Sequence, residues 1–289
     1  MKISGFLKID HHGDYDAYLD LANPENFDYD TLLNDVYFVI VAAAISGPDK
    51  CAQDFDYCWN VNVTGTSHFI REVIKRGKRV LFFSSDAVFG DIPGEIYTEN
   101  SLTQAITPYG KMKKAIEDEF KNEALFKAIR LSYVASARDR FIKYCLDCIK
   151  NGEETGKDRK DGEGREDRKA GKEAEIFHPF YRNVVTISDV AEVILYFALK
   201  WEEYEPTFLN VAGNELVSRI RIADEINRFL QKKKLDCTLK YKIITPDDSF
   251  FINRPRITQM KSLYLSKYHI LPEGSFTEKI QKELEHLEI

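Results

Sequence analysis

No apolar run in this chain approaches the ~18 residues that a membrane-spanning helix needs, so no span is expected. The first sixteen residues offer acids and histidines where a secretory leader has its apolar stretch, and a leader is not expected either. Cationic excess is lacking: 41 Lys and Arg stand against 47 Asp and Glu, a formal net charge of -6. A nucleic-acid-binding surface, which needs clustered cations, is therefore not expected, although a few local arginines could still hold a phosphate ligand. Cysteine is scarce and odd in number, five in all, which suits a reducing cytosol better than a disulfide framework. Cys145 and Cys148 form a CxxC inside the helical-looking FIKYCLDCIK, with no second CxxC and no histidine pair nearby. They read as helix-face cysteines, and no metal is expected. These absences point to a cytoplasmic protein outside the membrane.

What is present is a chain of 289 residues, 44% hydrophobic and 30% charged, with a mean hydropathy of -0.38. That suits one large α/β domain with a small cap. Val36 to Val41 is a continuous apolar run ending in Ala42-Ala43-Ala44, as expected of a strand buried on both faces of a parallel sheet. Helical spacing follows over Thr64–Arg76, with Phe69, Ile70, Val73 and Ile74 on one face. Val80–Phe83 reads as the next strand and Tyr109–Asn122 as the next helix, with Met112, Ile116 and Phe120 along one stripe. Further strands are expected at Lys127–Val134, Val184–Ile187 and Thr207–Val211, and helices at Asp139–Lys150, Asp189–Lys200, Arg219–Gln231 and Thr277–His286. Such alternation implies a doubly wound, Rossmann-like parallel sheet whose ligands sit at the carboxyl ends of the strands.

Residues 151–173 break the pattern. The stretch is about two-thirds charged and otherwise mostly glycine, with Ala170 its one aliphatic residue. Burial cannot offset its ordering entropy, so it is expected to be a disordered, solvated loop. It divides a core over residues 1–150 from a segment over 174–289 that holds the remaining core strands and a substrate-binding cap.

Three motifs carry chemistry. Asn62-Val-Thr-Gly-Thr66 follows the alanine-rich strand end, Phe83-Ser-Ser-Asp-Ala-Val-Phe-Gly90 closes a strand, and Pro108-Tyr-Gly-Lys-Met-Lys113 opens a helix. A YxxxK match alone is weak. Preceded by a strand-end serine and followed by Arg130-Leu-Ser-Tyr-Val134 on the next strand, it is far more specific. In order and spacing these motifs resemble the extended short-chain dehydrogenase/reductases (the NAD-dependent epimerase/dehydratase superfamily), closest to the dTDP-4-dehydrorhamnose reductase branch. Arg182-Asn-Val-Val-Thr-Ile-Ser-Asp189, Asn210-Val-Ala-Gly213 and Arg254-Pro255 fit the same likeness, which runs from about Tyr18 onward and is interrupted by the charged loop.

The residues support the chemistry independently of that name. Tyr109 and Lys113 lie four apart and share a helix face. A free tyrosine, with a pKa near ~10, is a poor base at neutral pH. A fixed ammonium nearby is expected to favour the phenolate. Tyr109 would then exchange a proton with a sugar oxygen while hydride moves to or from the nicotinamide of NAD or NADP, and Ser85 would hydrogen-bond that oxygen. The resemblance adds Lys113 as a ligand of the nicotinamide ribose. It also implies cofactor contacts from Asp20, Leu21, Ala42, Ala43, Ala44 and Ser84, and substrate contacts from Asp86, Val88, Arg182 and Arg254. For the two arginines, surface salt bridges or loop hydrogen bonds stand as the alternative. Asn62 is either a turn former or a support of the active-site region. The resemblance further implies a nucleotide-sugar substrate and allows a homodimer through the Tyr109–Asn122 helix.

One family feature is missing. A strand, a glycine-rich turn and a helix N-terminus normally cradle the dinucleotide's pyrophosphate. Here Ser4-Gly5-Phe6-Leu7 is the one echo, and the 13 residues between Gly5 and Leu19, His11 and His12 among them, cannot hold a helix, a strand and another helix. Dinucleotide affinity is expected to suffer. Three readings follow: a reductase or epimerase of a nucleotide-activated 4-keto sugar, a binding or regulatory subunit that has lost redox chemistry, or a shortened copy of an ordinary family member.

Overall fold

A computed structural model describes residues 8–10, 15–157 and 173–287. In chain order the first half comprises β1 (Ile9–Asp10), β2 (Ala17–Tyr18), α1 (Tyr29–Leu32), β3 (Phe38–Val41), α2 (Pro48–Gln53), α3 (Phe55–Trp59), α4 (Thr66–Lys75), β4 (Arg79–Ser85), β5 (Ile96–Tyr97) and α5 (Pro108–Phe120). A π-helical stretch, Asn60–Gly65, joins α3 to α4. Next come β6 (Phe126–Leu131), β7 (Val134–Ala135), α6 (Arg140–Lys157), β8 (Ala174–Phe177), β9 (Tyr181–Asn183), β10 (Val185–Thr186) and α7 (Ile187–Lys200). The remainder is β11 (Phe208–Val211), β12 (Leu216–Ser218), α8 (Arg219–Lys232), β13 (Tyr241–Ile244), α9 (Asp248–Phe251), β14 (Ile257–Met260) and α10 (Phe276–Leu284).

The central sheet has the order β11-β6-β4-β3, and every neighbouring pair in it is parallel. Side chains alternate across it, as a period of two requires. Val80 and Phe82 of β4 join Phe69, Ile70 and Val73 of α4 and Met112, Ile116 and Phe120 of α5 in one core. Leu81, between them, turns to the opposite face with Ile129, Leu209 and the α7 residues Val190, Val193 and Phe197. Helices thus cover both faces, and the sheet is doubly wound. Each such large side chain, fully buried, contributes roughly 1.5–3 kcal/mol.

Where sequence periodicity and structure differ, pairing partners decide. The expected strand over Lys127–Val134 splits, because β6 pairs with β4 and β11 whereas β7 leaves the sheet to pair with β10. The expected Val184–Ile187 strand shrinks to β10, since Thr186 and Asp189 build a capping box that starts α7 at Ile187. Helix α6 runs to Lys157, seven residues into the charged segment expected to be a loop; residues 158–172 lie outside the described residues. Both CxxC cysteines, on α6, are buried in a second core with α8 and α10. Strands β12, β9, β14 and β5 form a small mixed sheet beside it, and β13 pairs with β8.

Ahead of the central sheet, β1 and β2 form a two-residue parallel pair. Ser4 to Leu7, His11 and His12 lie outside the described residues. Among the described residues no helix is long and apolar enough to cross a membrane, and no group of three His, Cys, Asp or Glu side chains could hold a metal ion.

The start of α5 sets the site. Thr107 caps it by accepting from the Gly110 amide at 3.1 Å, with Pro108 in the first turn. Gly110 rests against the loop after β4, where an added Cβ would stand 2.0 Å from the Ala87 carbonyl oxygen. Gly110→Ala is therefore expected to push α5 off that loop and lower stability by about 1–3 kcal/mol, read from the denaturant midpoint.

Candidate active site

Ser85 is the last residue of β4, Tyr109 the second of α5, and Lys113 lies one helical turn further on. The Lys113 ammonium donates to the Phe83 carbonyl at 2.7 Å, which ties it to the strand that ends in Ser85. Its nitrogen stands 4.5 Å from the Phe82 ring centre and 5.8 Å from that of Tyr109. The Ser85 hydroxyl donates to Asp86 Oδ1 at 3.0 Å and accepts from the Ala87 amide at 3.2 Å. Asn62, buried on the π-helical stretch, clamps the chain beyond β3. Its oxygen accepts from the Ile45 amide at 2.8 Å, and its amide donates to the Ile45 carbonyl at 3.0 Å and to Met112 Sδ at 3.4 Å. The carboxyl ends of β3 and β4 and the first turn of α5 are thereby held together.

Electrostatics correct one expectation. Burial pushes the Lys113 ammonium down to about 7, with the Glu117 carboxylate opposing. Burial also raises the Tyr109 phenol above its ordinary value, and the Asp86 charge raises it further. Desolvation is the largest cause for both groups, so the Tyr109 phenol lies above its ordinary value rather than nearer the phenolate.

Below Lys113, a second stripe residue completes the site's foundation. Glu117 accepts from Ser84 Oγ at 2.6 Å and from Arg130 Nη2 at 2.7 Å, all three side chains being buried. Arg130 Nε adds bonds of 3.0 and 3.2 Å to the same carboxylate. Glu117→Gln leaves the buried Arg130 charge without its counter-ion. The expected loss is about 3–5 kcal/mol of stability, again read as a denaturant midpoint.

Some sequence-derived positions are exposed and others are not. Past the end of β3, Ala42 and Ala43 are exposed and Ala44 is half-buried. Asp20 organises a turn by accepting from the Ala22 amide and the Asn23 side chain, both at 2.8 Å. Leu21, expected beside the adenine, instead buries its side chain in the first core. Its carbonyl lies where a Cβ on Gly65 would be 1.6 Å away. Ser84, expected at the cofactor, is turned inward onto Glu117, because alternation along β4 points it to the face opposite that of Ser85. Val88, expected at the substrate, is fully buried with Phe89, Tyr97, Ala212 and Met260. Arg182 Nε faces Asp86 at 3.4 Å, and its other nitrogens bond the carbonyls of Pro255 and Tyr181, both at 2.7 Å, and of Arg256 at 3.3 Å. It staples β9 to the segment before β14. Arg254 pairs with Asp49 and lies 4.6 Å over the Phe250 ring.

The sequence profile of the NAD dependent epimerase/dehydratase family matches residues 10–212. The chain belongs to this family. Among solved structures, a dTDP-4-dehydrorhamnose reductase from Clostridium acetobutylicum is similar with a TM-score of 0.73 at 18% identity, over 94% of this chain and 88% of that one. MoeE5, in complex with UDP-glucuronic acid and NAD, gives 0.71 at 18% identity over 96% and 88%. The UDP-glucose 4-epimerase of Thermotoga maritima gives 0.72 at 13% identity over 96% and 89%. At such identities the likeness establishes the fold. No curated protein matches the chain.

For an NAD-dependent epimerase/dehydratase, the nicotinamide end fits what is present. A buried ammonium with one hydrogen-bond partner among the described residues suits a ribose diol. At the pyrophosphate end the sequence supplies no glycine-rich turn. One residue escaped sequence reasoning. Glu117 carried a usable signal, since Tyr109, Lys113 and Glu117 recur every four residues on one helix face.

Proposed function

We propose that the protein is an NAD(P)-dependent reductase or epimerase of a nucleotide-activated 4-keto sugar, serving nucleotide-sugar or surface-polysaccharide biosynthesis. The observation that carries this reading is the Lys113 ammonium anchored on the Phe83 carbonyl, one turn from Tyr109 and two residues before Ser85. The nucleotide-sugar and dinucleotide ligands in the names of the similar structures support it.

When bound, the nicotinamide supplies or accepts the hydride. Tyr109 gives a proton to the sugar oxygen, or takes it in the reverse direction. The Ser85 hydroxyl, which lends its hydrogen to Asp86 in the structure, turns it to that oxygen as charge develops there. Lys113 holds the ribose and, with burial pushing it down to about 7, passes a proton near neutral pH at little free-energy cost. Incubation with NADH or NADPH and a dTDP- or UDP-linked 4-keto sugar is expected to consume the reduced cofactor. No turnover and no cofactor binding in a folded sample would defeat the assignment.

A second reading, a binding or regulatory subunit without redox chemistry, is favoured by the raised Tyr109 phenol. Calorimetric titration with NADH, NADPH and nucleotide sugars separates the two, because a subunit of that kind keeps the sugar and loses the dinucleotide. A homodimer through α5 would have to join charged residues, since Lys111, Lys114 and Asp118 lie along its outward side. Such a dimer is expected to dissociate as salt rises, which sedimentation at two ionic strengths checks.

A further inference from the structure

Two thiols that the catalytic reading does not use lie beside the site. Cys51 on α2 and Cys58 on α3 are both fully buried in the first core. Cys51 Sγ donates to the Ile45 carbonyl at 3.1 Å, and the same oxygen accepts from Asn62 Nδ2 at 3.0 Å. Cys58 Sγ donates to the Lys50 carbonyl at 3.8 Å, so it rests on the peptide that leads into Cys51. The two thiols are hydrogen-bond neighbours as well. Helix α2 packs against both α3 and α5, the helix that presents Tyr109 and Lys113. Cys51 is near enough to those two residues that a charge on its sulfur would disfavour the phenolate of one and favour the ammonium of the other.

The thiols are held by elements that can open. Helices α2 and α3 have six and five residues, meet at Asp54, and neither has a side-chain cap at its start. Helices this short do not hold themselves, so local opening at Asp54 is the low-energy motion of this flank. Closed, the pair is protected, because burial pushes the Cys51 thiol up to about 12 and thiolate is the reactive form. Open, both sulfurs reach an oxidant and each other. The CxxC pair differs. Cys145 and Cys148 lie on one continuous helix, α6, in the second core, and a bond between them would leave α2 and α5 untouched.

We propose that Cys51 and Cys58 form a reversible disulfide, made by exchange with the disulfide of a low-molar-mass thiol, that switches the site off. One cysteine thiolate attacks the small disulfide and releases one small thiol. The other then attacks the mixed disulfide and releases the second, so two electrons and two protons pass from the protein to the oxidant. A covalent S–S bond brings the sulfurs well inside van der Waals contact and draws α2 towards α3. It also removes the Cys51 hydrogen from the Ile45 carbonyl, which loosens the clamp that Asn62 shares and shifts α2 against α5. The effect on turnover rests on the reductase or epimerase reading. The cross-link itself does not.

The test treats the full chain and its Cys58→Ala variant with oxidised glutathione, after thermal midpoints are compared under reductant. Free thiols are then blocked with iodoacetamide and the protein is cut with trypsin, which leaves both cysteines on the peptide 51–71 because no Lys or Arg separates them. From the parent this peptide is expected to lack two hydrogen atoms and to resist alkylation until dithiothreitol is added. Turnover of a nucleotide-linked 4-keto sugar is expected to fall about tenfold or more on oxidation and to return with dithiothreitol. Cys58→Ala should match the reduced parent and keep its rate in the oxidant. Absence of the cross-link in peptide 51–71, unchanged turnover in cross-linked protein, or equal loss in Cys58→Ala overturns the proposal. Should Cys58→Ala not fold, Cys58→Ser is judged by the same comparison. If the reduced parent shows no turnover, the reductase or epimerase reading fails alone, and the switch is decided by amide exchange at Ile45, whose N–H Asn62 holds. Exchange about fivefold faster in the cross-linked protein retains the switch, and an unchanged rate removes it.

Discussion

Tyr109→Phe is expected to lower turnover of a nucleotide-linked 4-keto sugar by ~10²–10⁴-fold, the usual loss when a positioned general acid or base is removed. The substitution deletes one hydroxyl from a half-buried ring that packs against the first core. Fold and substrate affinity should therefore persist, with the loss in kcat rather than in KM. The phenol lies above its ordinary value because burial and the Asp86 charge both disfavour the phenolate. The parent enzyme is accordingly expected to be better as a reductase, with Tyr109 donating its proton, than as an oxidase at the same neutral pH. Rates in both directions, followed by the absorbance of the reduced nicotinamide, check this. Equal turnover in the Phe variant would remove Tyr109 from the chemistry and leave the non-redox reading in possession.

Lys113→Met is expected to abolish turnover while making the protein more stable at neutral and acid pH. Lys113 is buried, and its pKa is pushed from the model-compound value of 10.5 down to about 7, with desolvation as the largest cause. Between those values the unfolded chain holds a proton that the folded chain lacks. Native stability therefore rises with pH from about 7 towards 10.5. Below about 7 the amine is charged in both states and the full desolvation penalty is present, on the order of several kcal/mol. Methionine carries no such penalty, so its advantage should be largest at pH 6–7 and shrink as the pH approaches 10.5. Loss of the bond to the Phe83 carbonyl offsets part of the gain, by roughly 1–3 kcal/mol. Urea midpoints of the two proteins across this range measure the difference. A variant less stable than the parent at every pH would show that the ammonium holds α5 to β4 more strongly than burial opposes it.

Both predictions concern a residue pair visible in the amino-acid order. Tyr109 and Lys113 share a helix face, and the serine at the end of an apolar run precedes them at a spacing that one β-α connection spans. The central strands were equally legible, because Val36–Val41 and Val80–Phe83 are apolar runs whose side chains join the cores on the two faces of the sheet. The cap was not. Strands β8, β9, β12, β13 and β14 have three or four residues each, too few for a period to show, and partners far away in the chain decide them. Ser84 and Ser85 make the point at the scale of one residue. Both are strand-end serines, and the pleat of β4 alone turns one inward to Glu117 and leaves the other beside Asp86.

By itself, the order of residues determined the fold class and the helix that presents Tyr109 and Lys113, since each depends on local periodicity or on a motif contiguous in the chain. The tertiary structure decided which polar groups remain available. It committed Arg182 to carbonyls, buried Val88 and Leu21, and pushed Lys113 towards neutrality. Whether a guanidinium or an amine can act on a ligand depends on hydrogen bonds and desolvation from residues tens of positions distant, and no local pattern encodes those.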